Sequence, residues 1–256
     1  MGAWNQDPAS GYWTVVPVGA ALDPFGYRFE LVCTDHEGFV DVACRVKNDI
    51  CHDGEDGQLV QWYRGLLDLG SAAWTEAVGG LTCIYAAKPE NILEKIAARI
   101  ESDFRSLPVD AGSTTIQPAP HTLVGAHTNV YADAAEQRFA VRILGQDVAV
   151  VATPIDYTWN YGDGSSLGPV VAPGGPLPQD RWGEQTATSH VYKDTGDFRV
   201  TLTTTFKGTY SVNGGPAVPI PGTGSFTAPP AAISVWRSKV NNYADNCLEN
   251  PNGTAC

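Results

Sequence analysis

The sequence predicts a mainly β protein: a β-sandwich in the C-terminal half, and a smaller disulfide-stapled N-terminal region with one amphipathic helix. Three observations carry this reading. Asp156–Tyr161 and Phe198–Thr205 alternate inward and outward residues with period two, as strands with one buried face do. A single segment, from Pro89 on, repeats apolar residues every four positions, as a helix with one buried stripe does. The six cysteines stand at 33, 44, 51, 83, 247 and 256, four in the N-terminal half and two in the tail, so none falls in the sandwich.

In chain order, Tyr12–Val16 and Tyr27–Val32 read as short strands among Pro, Gly and aromatic residues. His52–Gly57 is a polar turn, and Gln61–Arg64 and Leu81–Tyr85 read as further strands. Pro89 suits a first helical turn, where its missing N–H has no intrahelical partner to lose. Ile92, Ile96, Ile100 and Phe104 then form the apolar stripe, while Glu94, Lys95, Arg99 and Glu101 take the wet face. Pro108–Pro120, rich in Pro, Ser, Thr and Gly, reads as an extended linker. This gives an N-terminal region over 1–107, a linker over 108–120, a sandwich over 121–238 and a tail over 239–256.

Within the sandwich, Gln137–Leu144 and Gln146–Ala152 read as a hairpin. Asp156–Tyr161 places Tyr157, Trp159 and Tyr161 on one face, and Gly162-Asp163-Gly164 ends that strand in a turn. Residues 165–189 form a long Gly/Pro-rich loop carrying Trp182. Gly196 marks the bend into Phe198–Thr205, and the chain continues to Val212 and returns through Ile220–Thr227 as a β-ribbon. Ala231–Trp236 closes the sandwich.

Trp159, Gly162, Asp163, Gly164, His190, Tyr192, Gly196, Val200 and Leu202 stand in the order and spacing of a known signature: a Trp-Asp-Phe-Gly-Asp-Gly-like run, a His-x-Tyr pair, then Gly-x-Tyr-x-Val-x-Leu. On these residues the chain resembles the PKD (polycystic kidney disease repeat) family. Asn160, Tyr161 and Phe198 stand where that signature has Asp, Phe and Tyr. The arrangement of the whole chain is also similar to secreted actinobacterial PKD-domain proteins. The resemblance implies an immunoglobulin-like PKD sandwich, extracellular and non-catalytic. A Tyr at the position of Tyr192 is expected to bury its ring and tie the chain with its hydroxyl, as at the corner of such sandwiches.

Composition bounds the function. Lys and Arg total 16 against 28 Asp and Glu, a net charge of −12, which repels phosphate backbones and speaks against a nucleic-acid partner. Residues 1–114 hold 8 of the basic and 17 of the acidic groups, so the acidity sits in the N-terminal half. No apolar run approaches the roughly 20 residues of a membrane helix. Met1–Gly2 lacks the basic and apolar segments of an export leader, so export is expected to have used a leader since removed. The even number of cysteines fits an oxidising compartment. Six cysteines allow 15 pairings; Cys33–Cys44, Cys51–Cys83 and Cys247–Cys256 are the preferred set.

No catalytic constellation stands out. Gly-x-Ser-x-Gly, His-Glu-x-x-His and a phosphate-cradling Gly-rich loop are all missing. Cys33, Asp35, His36, Cys44, Cys51 and His52 have metal-ligand chemistry but no Cys-x-x-Cys spacing, so disulfides are preferred to zinc. Asp53, Glu55 and Asp56 lack the rest of a calcium loop and read as a solvated turn. Asp163 reads as a turn cap and His190 as a packed corner residue. Asn252-Gly253-Thr254 matches a glycosylation acceptor. No cofactor or metal is expected. Trp182 is the binding candidate: a loop Trp stacks on a sugar face, anchors a protein partner, or folds back over the sandwich. The functional expectation is an extracellular or cell-surface structural and interaction protein, with a protein partner or a glycan as its ligand and a surface assembly such as a pilus as its setting.

Overall fold

The computed structural model describes residues 3–6, 13–16, 24–33, 46–51, 57–86, 88–239 and 247–252. The polar turn with Asp53, Glu55 and Asp56, the ligand candidates Asp35, His36, Cys44 and His52, and Cys256 lie outside the described residues.

The N-terminal half is an antiparallel sheet of β1 (Ala3–Gln6), β2 (Trp13–Val16), β3 (Phe25–Leu31), β4 (Gln58–Leu66) and β5 (Glu76–Ile84), in that order. Helix α1 (Pro89–Ser106) follows, with Leu93, Ile96, Ala97, Ile100 and Phe104 buried and Ile92 half-buried, so the four-residue repeat marks its inner stripe from Ile96 on. Cys51 and Cys83 form a disulfide across a Cα–Cα distance of 5.5 Å, ordinary geometry for such a bond. Cys33 and Cys247 are disulfide-bonded as well.

The C-terminal half is a sandwich. One sheet contains β6 (Ser113–Gln117), β8 (His127–Asp133) and β12 (His190–Val191), ordered β12-β8-β6. The facing sheet is ordered β11-β10-β13-β16-β7, from β7 (His121–Leu123), β10 (Gln146–Asn160), β11 (Ser166–Val170), β13 (Gly196–Val212) and β16 (Ala231–Trp236). β9 (Gln137–Ile143) pairs with β10, and β14 (Val218–Pro219) and β15 (Gly224–Thr227) pair with β13. Ile116, Val130, Tyr157, Trp159, Tyr192, Val200, Leu202, Ile233 and Val235 fill the space between the sheets.

Three sequence expectations need correction. Residues 108–120 are not a free linker: β6 lies within them and pairs with β8, and Val109, Ala111 and Ile116 are buried. Pro and Ser/Thr content gave a linker appearance, yet Thr114 and Ile116 alternate in a way that suits a short strand. Residues 165–189 are not all loop, because Ser166–Val170 forms β11 against β10. The stretches 146–152 and 156–161 are one strand rather than two. In β10 the buried positions are Gln146, Val148, Val150 and Ala152, then Tyr157 and Trp159, a switch from even to odd. The register against β13 shifts between Pro154 and Asp156, which leaves Ile155 as an extra residue. An extra residue in one strand turns every later side chain to the other face. The bulge therefore keeps Tyr157 and Trp159 on the same side of the sheet as Val148 and Val150, while β13 keeps Val200, Leu202, Thr204, Phe206, Tyr210 and Val212 buried without a break.

Through this continuity β10 and β13 serve two cores. Their sandwich ends hold Tyr157, Trp159, Val200 and Leu202. Their far ends supply Val148, Val150, Phe206, Tyr210 and Val212 to a second core, shared with Phe29, Val60 and Trp62 of the N-terminal sheet and with the buried stripe of α1. The ribbon expected to extend from the sandwich is thus the surface on which the N-terminal half packs.

Candidate functional site

Two places were singled out by the sequence, the Trp159–Gly164 stretch with its His190 and Tyr192 partners, and Trp182. The structure brings the first set together. Trp159 is wholly buried, and its ring stacks on that of Tyr157 at 6.0 Å. Asn160 Oδ1 accepts a hydrogen bond from Gly162 N–H at 2.9 Å, so Asn in place of Asp keeps the acceptor that shapes the turn. Gly162 has φ of 84°, and a Cβ there would lie 2.7 Å from the Arg199 carbonyl oxygen, so both backbone conformation and space demand Gly. Asp163 Oδ1 accepts from Ser165 N–H at 3.0 Å and caps the turn. Tyr192 is fully buried, and its hydroxyl donates to the Tyr161 carbonyl at 3.1 Å, which ties its corner to the end of β10 rather than to the backbone a few residues upstream, as in the immunoglobulin tyrosine corner. Gly196 opens β13.

Asp163 and His190 do meet. His190 Nε2 stands 2.7 Å from Asp163 Oδ2 and 3.3 Å from Ser165 Oγ. A Ser–His–Asp relay needs the carboxylate on one ring nitrogen and the hydroxyl on the other. Here both lie on Nε2, and Ser165 Oγ is itself bonded to the Asp163 carboxylate. The His190 ring is stacked on Tyr161 at 4.1 Å and meets Tyr192 edge-on at 4.6 Å. These contacts pack the His190 ring into the corner between Tyr161 and Tyr192.

Its electrostatics give a pH test. Burial raises the Asp163 pKa, but hydrogen bonds from Ser165 and His190 outweigh burial and hold the carboxyl below its ordinary value. Burial, with the Asp163 charge beside it, pushes the Tyr161 hydroxyl up to about 12, and burial raises that of Tyr192 as well. A carboxyl with a lowered folded-state pKa stabilises the fold above its unfolded pKa, and that contribution fades as pH falls through the folded value. Thermal melts of the wild type and Asp163→Asn are expected to differ most above about pH 5 and to converge toward about pH 2. A difference independent of pH would exclude this role for the carboxylate.

The second place is a groove of about 290 Å³ between the loop carrying Trp182 and the β7–β16 edge, lined by Pro118, His121, Leu123, His127, Trp182 and Trp236 among others. Trp182 is 40% exposed and Trp236 58%, whereas Trp62, Trp74 and Trp159 are at most 2% exposed. The Trp182 indole N–H donates to the Leu177 carbonyl at 3.2 Å. Gln117 clamps the same Leu177, accepting from its N–H at 2.8 Å and donating to its carbonyl at 3.2 Å. Trp182 thus stands in a pinned loop, exposed on one side. Trp236 sits at the end of β16, paired with Leu123 of β7, and the His121 ring lies 4.9 Å from its indole. Sequence reasoning treated Trp236 only as the end of a closing strand. The signal was present: with Ile233 and Val235 pointing inward, the alternation puts Trp236 outside.

Residues 130–206 match the family model for the PKD domain, and this segment spans β10, the turn at Asp163, His190, Tyr192 and most of β13. The C-terminal sandwich thus carries a PKD domain, a non-catalytic immunoglobulin-like module of a kind commonly used in protein interaction. The domain and the Cys51–Cys83 disulfide are consistent with an extracellular location. Among the described residues no helix is long and apolar enough to cross a membrane, and no group of three or more His, Cys, Asp or Glu side chains is placed to hold a metal ion. No curated protein and no solved structure matches the chain.

Proposed function

We propose that the protein is a non-catalytic structural and interaction component of the cell surface or extracellular space, with the PKD sandwich as a rigid spacer or docking module in a surface assembly such as a pilus. The observation that carries this reading is the β10–β13 spine, which runs from the sandwich core into the core under α1, so that both halves pack on the same two strands. A spacer is served by that shared packing, and the Asp163–Ser165–His190 cluster, with both contacts on one ring nitrogen, is not arranged as a Ser–His–Asp relay. Export followed by removal of a leader belongs to the same reading. Labelling intact native cells with a membrane-impermeant amine reagent, followed by cross-linking and mass spectrometry, tests it. The protein is expected to be labelled and cross-linked to surface proteins. Recovery from the cytosolic fraction, unlabelled and without cross-links, would overturn the proposal.

A second reading, glycan binding through exposed aromatics, is favoured by one observation: Trp182 and Trp236, distant in sequence, converge on one groove with their rings exposed. The two readings are compatible, since a surface spacer can end in a sugar-binding face.

A further inference from the structure

We propose that the groove between Trp182 and Trp236 binds a neutral oligosaccharide chain, with pyranose rings stacked on the two indoles and sugar hydroxyls bonded to the His121 and His127 imidazoles. This rests on the glycan-binding reading and adds the site, the second platform and the charge class of the sugar.

The argument begins with exposure. A buried indole contributes strongly to a core, and the described tryptophans of both cores are so used. Trp182 and Trp236 instead remain 40% and 58% exposed and line one groove. The C–H-rich face of a pyranose carries slight positive charge and matches the negative face of an aromatic ring. Both platforms are held in advance: Trp182 through Leu177 and the Gln117 clamp, Trp236 through its strand and the His121 ring. Binding then needs little ordering of the protein, which favours weakly sticky ligands such as sugars.

The polar groups agree. A ring hydroxyl both donates and accepts, and a neutral imidazole offers one donor and one acceptor. His121 and His127 line the same groove, which is of a size suited to a small ligand or one stretch of a chain. Charge then separates sugar classes. Among the described residues no Lys or Arg lines the groove, and the nearby Arg181 is held by both oxygens of Glu184 at 3.1 and 3.0 Å. A uronate or sulfate would find no fixed cation there to offset the loss of its hydration. Neutral sugars need no such partner.

The test is isothermal titration of the full chain with cello-, xylo-, manno- and chito-pentaose, alongside oligogalacturonate, for the wild type, Trp182→Ala and Trp236→Ala. Both side chains are exposed, so the variants are expected to keep the wild-type melting temperature and near-ultraviolet dichroism. At least one neutral pentaose should bind, and each variant should weaken it by about tenfold, the loss of one stacking platform. Binding that persists unchanged in both variants would leave glycan recognition standing and overturn its placement in this groove. Binding of oligogalacturonate alone would overturn the charge class. No binding of any sugar by the wild type would overturn this inference and the glycan reading together, and loss of a surface cross-link in the same variants would then assign the groove to a protein partner.

Discussion

Phe104→Ala is expected to lower the stability of the whole protein by about 3–5 kcal/mol, the usual range for emptying a buried aromatic site. Phe104 ends the inner stripe of α1 and is 1% exposed. Its ring meets Phe226 of β15 edge-on, with ring centroids 6.5 Å apart. It also lies over two glycines of the ribbon: a Cβ on Gly208 would come within 3.0 Å of the Phe104 ring and one on Gly224 within 3.2 Å. The ribbon is thus bare of side chains where the ring sits, and Ala would leave that space empty. Because β13 continues from Gly208 into the sandwich core, the loss is expected to reach both halves. Urea unfolding followed by far-ultraviolet dichroism and by tryptophan fluorescence should show one transition, displaced equally for both probes. A displacement of one probe alone, or a loss below about 1 kcal/mol, would mean that the helix and the ribbon are not one cooperative unit.

Gln146→Leu is the second large effect, expected at about 2–4 kcal/mol. Gln146 is 1% exposed at the start of β10 and joins the two halves through its amide. Its Nε2–H donates to the Tyr85 carbonyl at 2.9 Å, and its Oε1 accepts from Tyr85 N–H at 3.0 Å and from Asn213 Nδ2–H at 2.7 Å. Asn213 in turn donates to the Cys83 carbonyl at 2.8 Å and accepts from Asp147 N–H at 2.9 Å. Leu fills similar space but leaves the half-buried Tyr85 backbone and Asn213 amide without these partners, and each orphaned group costs about 1 kcal/mol, toward the low end of the range for a buried one. The same urea experiment measures it. Hydrogen exchange at Tyr85 N–H should also accelerate in the variant, and unchanged protection there would argue against the bridge.

What the sequence made legible follows from the range of the interactions involved. The turn at Gly162-Asp163-Gly164 is local, written in residues that touch within a few positions, and it stands where its chemistry placed it. The stripe of α1 is likewise a property of one segment. The β10 bulge was harder to read, because a phase change in burial at Ile155 resembles the end of one strand and the start of another until the partner strand is known to run straight past it. β6 was hidden for a related reason: Ser113–Gln117 is a strand because β8 pairs with it, and its composition alone suits a linker. At the groove, Trp182 was a candidate in the sequence with its exposure left open, but its companion lies 54 positions later on another element, and only the tertiary fold brings Trp182 and Trp236 to one groove.

The unbroken β10 and β13 have a mechanical meaning. At about 3.4 Å per residue, the 15 residues of β10 span about 50 Å. Load placed on the α1 face reaches β10 and β13 through side-chain packing in the shared core and then runs along their paired backbones into the sandwich, while residues 108–120, being partly strand themselves, offer little slack to pull out first. The two cores are therefore expected to resist hinging about each other, because the same two paired strands run through both.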